Sequence, residues 1–230
     1  MPWKLIVLLR TRWRDPLVNI LGAVRTTFPS VIDLSYEHEV VLEVPVGEQH
    51  DYKFICSTEG VASASVTIVV HDHAVCTLSW IQKESVTATV HCTVYLVGEQ
   101  AQFTSTMRLV TAEKNRVDIT LLIEHRAPET KSREDIKGVA YDASMMSFEG
   151  RVLLTHDAHY AQATMHHKQV VIGRQARVHS CPQLEALHHT VRCGHGSAVS
   201  YIDDEQLFYL SSRGLDETVA RALIIDSFLS

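Results

Sequence analysis

The chain has 230 residues, of which 46% are hydrophobic and 21% are charged, so it is long enough to bury a sizeable core in one globular domain. Its 21 basic and 27 acidic residues give a formal charge of -6 at pH 7, and the basic residues are scattered along the chain. A basic face that could follow a phosphate backbone is therefore not expected, and we predict no nucleic-acid partner.

Residues 1–36 predict an N-terminal cap segment with a short helix and irregular connections. An apolar stretch at Leu17–Val24 supports the helix. The apolar run Leu5–Leu9 lies between Lys4 and Arg10 and is too short for a membrane span or for the core of a signal peptide. We therefore expect a cytoplasmic protein with no membrane partner.

An alternating pattern that starts at Val40, Leu42 and Val44 predicts half-buried β-strands from about residue 37 to residue 200. Further runs of high β-propensity are Val66–Val70, Cys76–Trp80, Val86–Leu96, Phe103–Val110, Val117–Ile123, Lys137–Tyr141, Gly150–Leu154, Gln169–Ile172 and Ala176–His179. A polar stretch at Arg126–Glu134 is expected to interrupt them. A sandwich, a cupin-like barrel and a β-helix all fit this pattern; the absence of Asn-Gly or Asp-Gly hairpin turns favours the β-helix.

Residues 201–230 predict two short helices. Asp203 or Asp204 can cap the first helix, Gly214 can end it in the left-handed conformation, and Asp216 can cap the second. The apolar positions of the second helix fall on one face, and they are Val219, Ala220, Leu223, Ile224 and Phe228. Two short helices need a packing surface. That surface is either the β body or another protein.

Five short motifs follow one another between Ser132 and Phe228. They are Lys137-Gly138-Val139, Phe148-Glu149-Gly150, Cys181-Pro182-Gln183-Leu184-Glu185, Val191-Arg192-Cys193-Gly194-His195-Gly196 and the Asp204–Gly214 segment DEQLFYLSSRG. Together they resemble the C-terminal core of the SufB/SufD family of iron–sulfur cluster assembly scaffolds. The Cys-x-His-Gly form of the fourth motif is similar to SufD subunits, because SufB subunits place Glu after the histidine.

The resemblance implies an all-β core in the form of a right-handed parallel β-helix, followed by a helical segment that binds the ATPase SufC. It implies a scaffold and not an enzyme, which binds no nucleotide itself and works as a homodimer or beside a SufB-like subunit. Family members are typically longer and carry an N-terminal helical region. The implied SufC contacts are Leu207, Phe208, Tyr209, Arg213, Gly214, Leu223 and Phe228.

Cys193 and His195 are the leading candidates for a metal or cluster site. They are two residues apart, so on a strand their side chains project to the same face, and thiolate and imidazole both ligate iron–sulfur clusters. A packed cysteine beside a hydrogen-bonded histidine is the alternative. Two ligands are too few for iron or a cluster, so a second subunit is expected to complete the site.

The resemblance also points to three other histidines. His167 stands where SufB-type subunits carry a functional cysteine; as a histidine it is either a metal ligand or a solvated turn residue. His188 and His189 replace an Asp-Asp pair of the family, and they are either possible ligands or solvated imidazoles. Iron or an iron–sulfur cluster, held transiently, is the implied cofactor.

Two alternative functions remain open at this point. His71 and His73 form a second pair at strand spacing, which is reminiscent of a metal-dependent cupin enzyme. A degenerate family member without cluster chemistry is the other alternative. Cys76 and Cys92 are predicted core residues, Cys181 is expected to be more exposed, and no Walker A sequence is present, so ATP hydrolysis is not expected.

Overall fold

The structure is a computed structural model that describes residues 31–34, 38–56, 60–82 and 86–230. The strands are β1 Val31–Asp33, β2 His38–Val44, β3 Gln49–Cys56, β4 Gly60–Val70, β5 Val75–Gln82, β6 Val86–Leu96, β7 Gln102–Thr111, β8 Arg116–His125, β9 Lys131–Tyr141, β10 Met145–Leu154, β11 Gln162–Ile172, β12 Arg177–Ala186 and β13 Arg192–Tyr201, and the helices are α1 Asp204–Ser212 and α2 Glu217–Leu229. Most of the predicted cap segment, with its helix, lies outside the described residues.

The strands form two parallel sheets that the chain visits alternately. The odd-numbered strands β1 to β13 make one sheet in sequence order, and the even-numbered strands β2 to β12 make the other. One turn takes about 29 residues, since Thr89 of β6 pairs with Asp118 of β8. This winding is a parallel β-helix, as predicted, and it rules out the antiparallel cupin barrel and the sandwich.

Strict alternation of apolar and polar residues explains why these segments form strands. In β6 the buried positions are every second residue from Val86 to Leu96. In-register parallel pairing then stacks inward residues of successive turns in columns, such as Val90, Ile119 and Phe148, all of which are at most 2% exposed. The core is therefore a continuous filling of the solenoid.

The polar break predicted at Arg126–Glu134 is shorter in the structure. Strand β9 begins at Lys131, and both Ser132 and Glu134 are buried on its inward face. The prediction failed because the inward positions of this part of β9 carry polar residues, so apolar and polar residues do not alternate there. Strand β3 was not predicted either, although Tyr52 and Phe54 are among its buried residues.

A column of tight turns forms one corner of the solenoid. The third residue of five of these turns has a positive φ, and these residues are Gly47, His73, Gln100, Glu129 and Tyr160. Backbone hydrogen bonds join these five turns to one another, for example from His73 N to Glu99 O at 2.8 Å. His71 and His73 thus lie in a turn and not on a strand, so the same-face reasoning behind the cupin alternative was wrong.

The two C-terminal helices have the predicted caps. Asp203 and Asp216 accept hydrogen bonds from the backbone N–H groups of Glu205 and Thr218, and Gly214 has φ +90. None of the helices among the described residues is long and apolar enough to cross a membrane.

The second helix is held against the outer face of the odd-numbered sheet. Arg108 donates a hydrogen bond to Leu229 O at 2.6 Å and also pairs with Asp135. Lys137 Nζ lies 5.9 Å from the ring centroid of Phe228. Lys137, the first residue of the Lys-Gly-Val motif, is therefore a contact between the solenoid and its tail.

Candidate functional site

Strand β13 is the open edge of the odd-numbered sheet. It pairs only with β11 in the described sheet order, and all ten of its residues are exposed. Cys193 pairs with Ala163 and His195 pairs with Met165, both of which are fully buried on the inward face of β11. Parallel register therefore places the thiol and the imidazole in the inward row of the last turn, and no further turn of the described part of the chain covers them.

The shared face of Cys193 and His195 is thus confirmed, and whether they bind metal stays a prediction. Among the described residues, no group of three or more His, Cys, Asp and Glu side chains is arranged to hold a metal ion. One chain supplies only part of a ligand set at this edge.

His167 is fully buried on the inward face of β11, so the solvated-turn alternative for this residue was wrong. Its Nε2 lies 3.2 Å from Oε2 of Glu134, which is also fully buried, and its Nδ1 lies 3.3 Å from Oγ of Ser180. Ser180 Oγ is 3.1 Å from Oγ of Ser197 on β13. A polar chain therefore runs from the interior to the row that carries Cys193 and His195.

Glu134 is the member of this cluster that sequence reasoning missed. Burial raises the pKa of its carboxyl group, and the hydrogen bond and charge of His167 oppose that rise. The sequence feature that could have identified Glu134 is an acidic residue at an inward position of an alternating strand. It was missed because Arg126–Glu134 was predicted to be a polar break and not part of a strand. Gln169, also buried, donates to Ser180 from Nε2 at 3.4 Å.

Phe148 and Gly150 of the Phe-Glu-Gly motif form the wall beside His167. The ring of Phe148 meets that of His167 edge-on, with 4.6 Å between centroids. A Cβ at Gly150 would lie 2.9 Å from Cε1 of His167 and 3.2 Å from Oε2 of Glu134. The glycine is thus required by the space that the histidine and the glutamate occupy.

Exposed and partly exposed imidazoles collect at the corner that precedes β13. The ring centroid of His188 is 4.1 Å from that of His159 and 4.6 Å from that of His189. Desolvation, followed by the neighbouring imidazoles including His156, lowers the pKa of His188, and its Nδ1 is 2.9 Å from Oγ1 of Thr190. His188 and His189 are therefore turn residues beside the candidate site, and no metal geometry is formed there among the described residues.

The remaining cysteines are placed as the sequence predicted. Cys76 and Cys92 are core residues, as is Cys56, and burial raises the pKa of Cys56 and of Cys92 to about 12 and raises that of Cys76 further. Cys181 is partly exposed and pairs with Glu149, which is outside the inward rows. Burial makes the core thiols poor nucleophiles and ligands, which leaves Cys193 as the exposed thiol among the described residues.

A groove of about 490 Å³ lies between the end of β13 and α2, and its lining includes Val170, Tyr201, Leu223 and Phe228. Leu223 is half exposed, and Phe208 and Tyr209 of α1 are 77% and 56% exposed. Leu207 is instead buried, so it anchors α1 to the rest of the chain and is not free to meet a partner. Gly214 contributes the turn between the helices, with nothing within 4 Å of the position that a Cβ would occupy.

The fold and the edge define a class of protein: a β-helical body whose last turn is open on one side and presents a thiol and an imidazole. Residues 85–228 match the family described as SUF system FeS cluster assembly, SufBD core domain. The chain belongs to this family.

Several curated relatives are similar to the chain over part of their length. The iron-sulfur cluster assembly protein SufD of Escherichia coli is 35% identical over 128 residues, which are 54% of this chain and 30% of that protein. A SufBD family protein of Synechocystis is 30% identical over 109 residues, 47% of this chain and 24% of its own length, and the chloroplastic protein ABCI7 of Arabidopsis thaliana is 31% identical over 109 residues, 47% and 22% respectively. The matched part thus spans less than a third of these relatives.

Proposed function

We propose that the chain is a SufD-like scaffold subunit that helps to hold iron or a nascent iron–sulfur cluster at the edge formed by β13, in the cytoplasm. One observation carries this proposal. Cys193 and His195 occupy adjacent inward positions of the edge strand β13, and both side chains are exposed. A scaffold requires ligands that are accessible to a growing cluster, and an edge strand supplies them.

A second subunit completes the site in this proposal. Strands β12 and β13 are sheet edges, and on one side their backbone donors and acceptors have no strand partner among the residues that the structure describes, which favours association with another chain. The occupant is a SufB-like subunit or a second copy of this chain, either of which would bring further ligands to Cys193 and His195. Such an interface would also cover Val199 and Tyr201, which are 52% and 76% exposed.

The helical tail supplies the docking surface for a SufC-like ATPase in this proposal. Phe208, Tyr209, Leu223 and the partly buried Phe228 offer apolar contact area, with Arg213 beside Tyr209 at 5.2 Å from its ring centroid. Nucleotide-driven movement of the ATPase would then reach the cluster edge through α2 and β13, which share the groove described above. The chain itself acts as a scaffold and not as an enzyme.

Anaerobic reconstitution with iron and sulfide tests the cluster site. We expect visible absorption from the wild-type chain, studied with its second subunit, and its loss in Cys193→Ser and in His195→Ala. Cys181→Ser is the matched control, since this thiol is outside the inward row and its loss leaves the absorption unchanged. Equal absorption from Cys193→Ser and wild type would refute the proposed site and favour a degenerate family member.

Co-purification with a SufC-like ATPase tests the tail. A Phe208→Ala, Tyr209→Ala double variant is expected to lose binding, whereas Tyr160→Ala, which removes a comparably exposed ring from a corner turn of the solenoid, keeps it. A correctly folded chain that does not bind the ATPase would overturn this part of the proposal.

A further inference from the structure

The helical tail buries little of its own surface. Leu207 is the buried residue of α1, and Ala220 is that of α2. The groove of about 490 Å³ described above lies between α2 and the end of β13, so this helix does not close against the sheet there. Because short helices depend on tertiary packing, apolar contact alone fixes the position of α2 only weakly.

Arg108 of β7 supplies a polar anchor for the C-terminal end of α2. Its Nε donates to Leu229 O at 2.6 Å, its Nη1 donates to Met107 O and Asp135 O at 2.9 and 3.2 Å, and its Nη2 donates to Asp135 Oδ2 at 2.9 Å. A planar guanidinium held by four contacts, with its side chain only 20% exposed, has one orientation. The last turn of α2 contains no basic residue, so the cation beside its carbonyl end comes from the sheet.

Arg108 also belongs to a column of three cations on the outward face of the odd-numbered sheet. It pairs with Lys137, which in turn pairs with Lys168. Neighbouring strands are about 4.8 Å apart, and like charges side by side on one face of a sheet repel one another. The column is therefore unfavourable unless negative charge lies beside it. Asp135 supplies a full charge, and the carbonyl end of α2 supplies a partial one through Leu229 O.

We propose that Arg108 is a positioning residue for the docking tail. Within the column that it shares with Lys137 and Lys168, it holds the carbonyl end of α2 on the sheet by electrostatic attraction, and it thereby sets the orientation in which α1 and α2 meet the ATPase. The inference deepens the proposed function and rests on it. A docking surface that is held in its bound orientation binds at a lower cost in conformational entropy. Because the attachment consists of a few polar contacts, the tail can also be released without unfolding of the solenoid.

Hydrogen exchange of the full chain, without a partner, tests the anchor. We expect Arg108→Gln to speed the exchange of the backbone amides of α2 about 10-fold or more, because the helix loses a hydrogen bond from a charged group. The amides of β7 and β9 should keep their wild-type exchange rates, which shows that the solenoid is intact. Wild-type exchange of α2 in the folded variant would overturn the inference. Equally faster exchange of β7 and β9 would assign the effect to the sheet and would overturn it as well.

Arg151→Gln is the matched control for the loss of an outward arginine. Arg151 also pairs with a carboxylate of the neighbouring strand, Glu185 at 2.7 Å, but it belongs to the even-numbered sheet. We expect this variant to keep the wild-type exchange of α2, and an increase equal to that in Arg108→Gln would contradict the anchor. Arg108→Lys tests the electrostatic part, because it keeps a cation beside the carbonyl end of α2 and should stay closer to the wild type than Arg108→Gln. Equal effects of the two substitutions would mean that charge does not hold the helix, which refutes the electrostatic attachment.

Binding of a SufC-like ATPase tests the consequence for docking. We expect Arg108→Gln to lower the affinity for the ATPase, although it leaves Phe208 and Tyr209 in place, because fewer chains hold the tail in the orientation that docks. Wild-type affinity in a variant whose α2 exchanges faster would show that docking does not need the anchored orientation, and the inference would be wrong. A wild-type chain that does not bind the ATPase contradicts the proposed function instead. Hydrogen exchange of the chain alone still decides in that case whether Arg108 anchors the tail.

Discussion

The middle turns of the solenoid and its last turn share one register and differ in what fills it. A single inward column shows the change: Trp80, Met107, Ile136, His167 and Ser197. The first three side chains are fully buried and apolar, the fourth is buried and polar, and the fifth is exposed. The middle turns supply the hydrophobic stabilisation, and the last turns replace apolar contacts with groups that can do chemistry.

Truncation of two residues in one column should give the largest contrast between the regions. Leu109 and Val199 belong to the same column of paired residues, which also contains Gly138 and Gln169. Leu109 is fully buried, whereas Val199 is 52% exposed. We expect Leu109→Ala to lower the free energy of unfolding by about 2–5 kcal/mol. Val199→Ala should cost less than about 1 kcal/mol in the isolated chain.

Denaturant unfolding of both variants measures this contrast. Similar costs for the two truncations would mean that the last turn is covered by some other part of the molecule. The comparison between an apolar middle and an open end would then be wrong.

Two glycines sharpen the same comparison. Gly150 lies in the crowded interior, whereas nothing lies within 4 Å of a Cβ built at Gly194 on the edge strand. Because the new methyl group must displace His167 or Phe148, we expect Gly150→Ala to cost about 1–3 kcal/mol. Gly194→Ala should be neutral or slightly stabilising, and thermal unfolding of the two variants distinguishes them; a neutral Gly150→Ala would contradict the tight packing around His167.

A pH effect should come from the middle turns. His125 is fully buried between Thr130 and Ser132, and burial lowers its pKa from 6.5 to about 4. Between pH 6.5 and about pH 4, His125 binds a proton in the unfolded chain but not in the folded chain. The free energy of unfolding therefore falls as the pH falls, by at most about 1.4 kcal/mol per pH unit.

The measurement is the free energy of unfolding at several pH values for the wild type and for His125→Gln. All other ionisable groups are the same in both proteins, so the difference between the two pH slopes isolates His125. Parallel slopes between pH 6.5 and 4 would show that this histidine is protonated in the folded state or accessible to water.

Regular features of the sequence were enough to predict the scaffold. The full extent of β6 followed from its alternation, and the helix starts followed from Asp203 and Asp216. The start of β9 did not, because Ser132 and Glu134 are inward-facing polar residues whose partners come from other turns. Local pattern does not encode those long-range pairs.

The candidate site was predictable to the same limited degree. The spacing of Cys193 and His195 indicated their common face, but the burial of His167 required knowing that Glu134, 33 positions earlier, lies on the neighbouring strand. The partner surface was only partly predictable, since Leu207 and Phe208 are adjacent apolar residues and only the three-dimensional packing shows that one is buried and the other exposed.

The corner turns make one side of the solenoid easy to diversify. Residues such as His73, Gln100, Glu129 and Tyr160 adopt a left-handed backbone, and their side chains extend into water while backbone hydrogen bonds between turns hold the shape. Exchanging these side chains leaves the interior unaffected, so this edge can acquire new surface chemistry without redesign of the fold. The row of imidazoles beside β13 occupies this permissive strip.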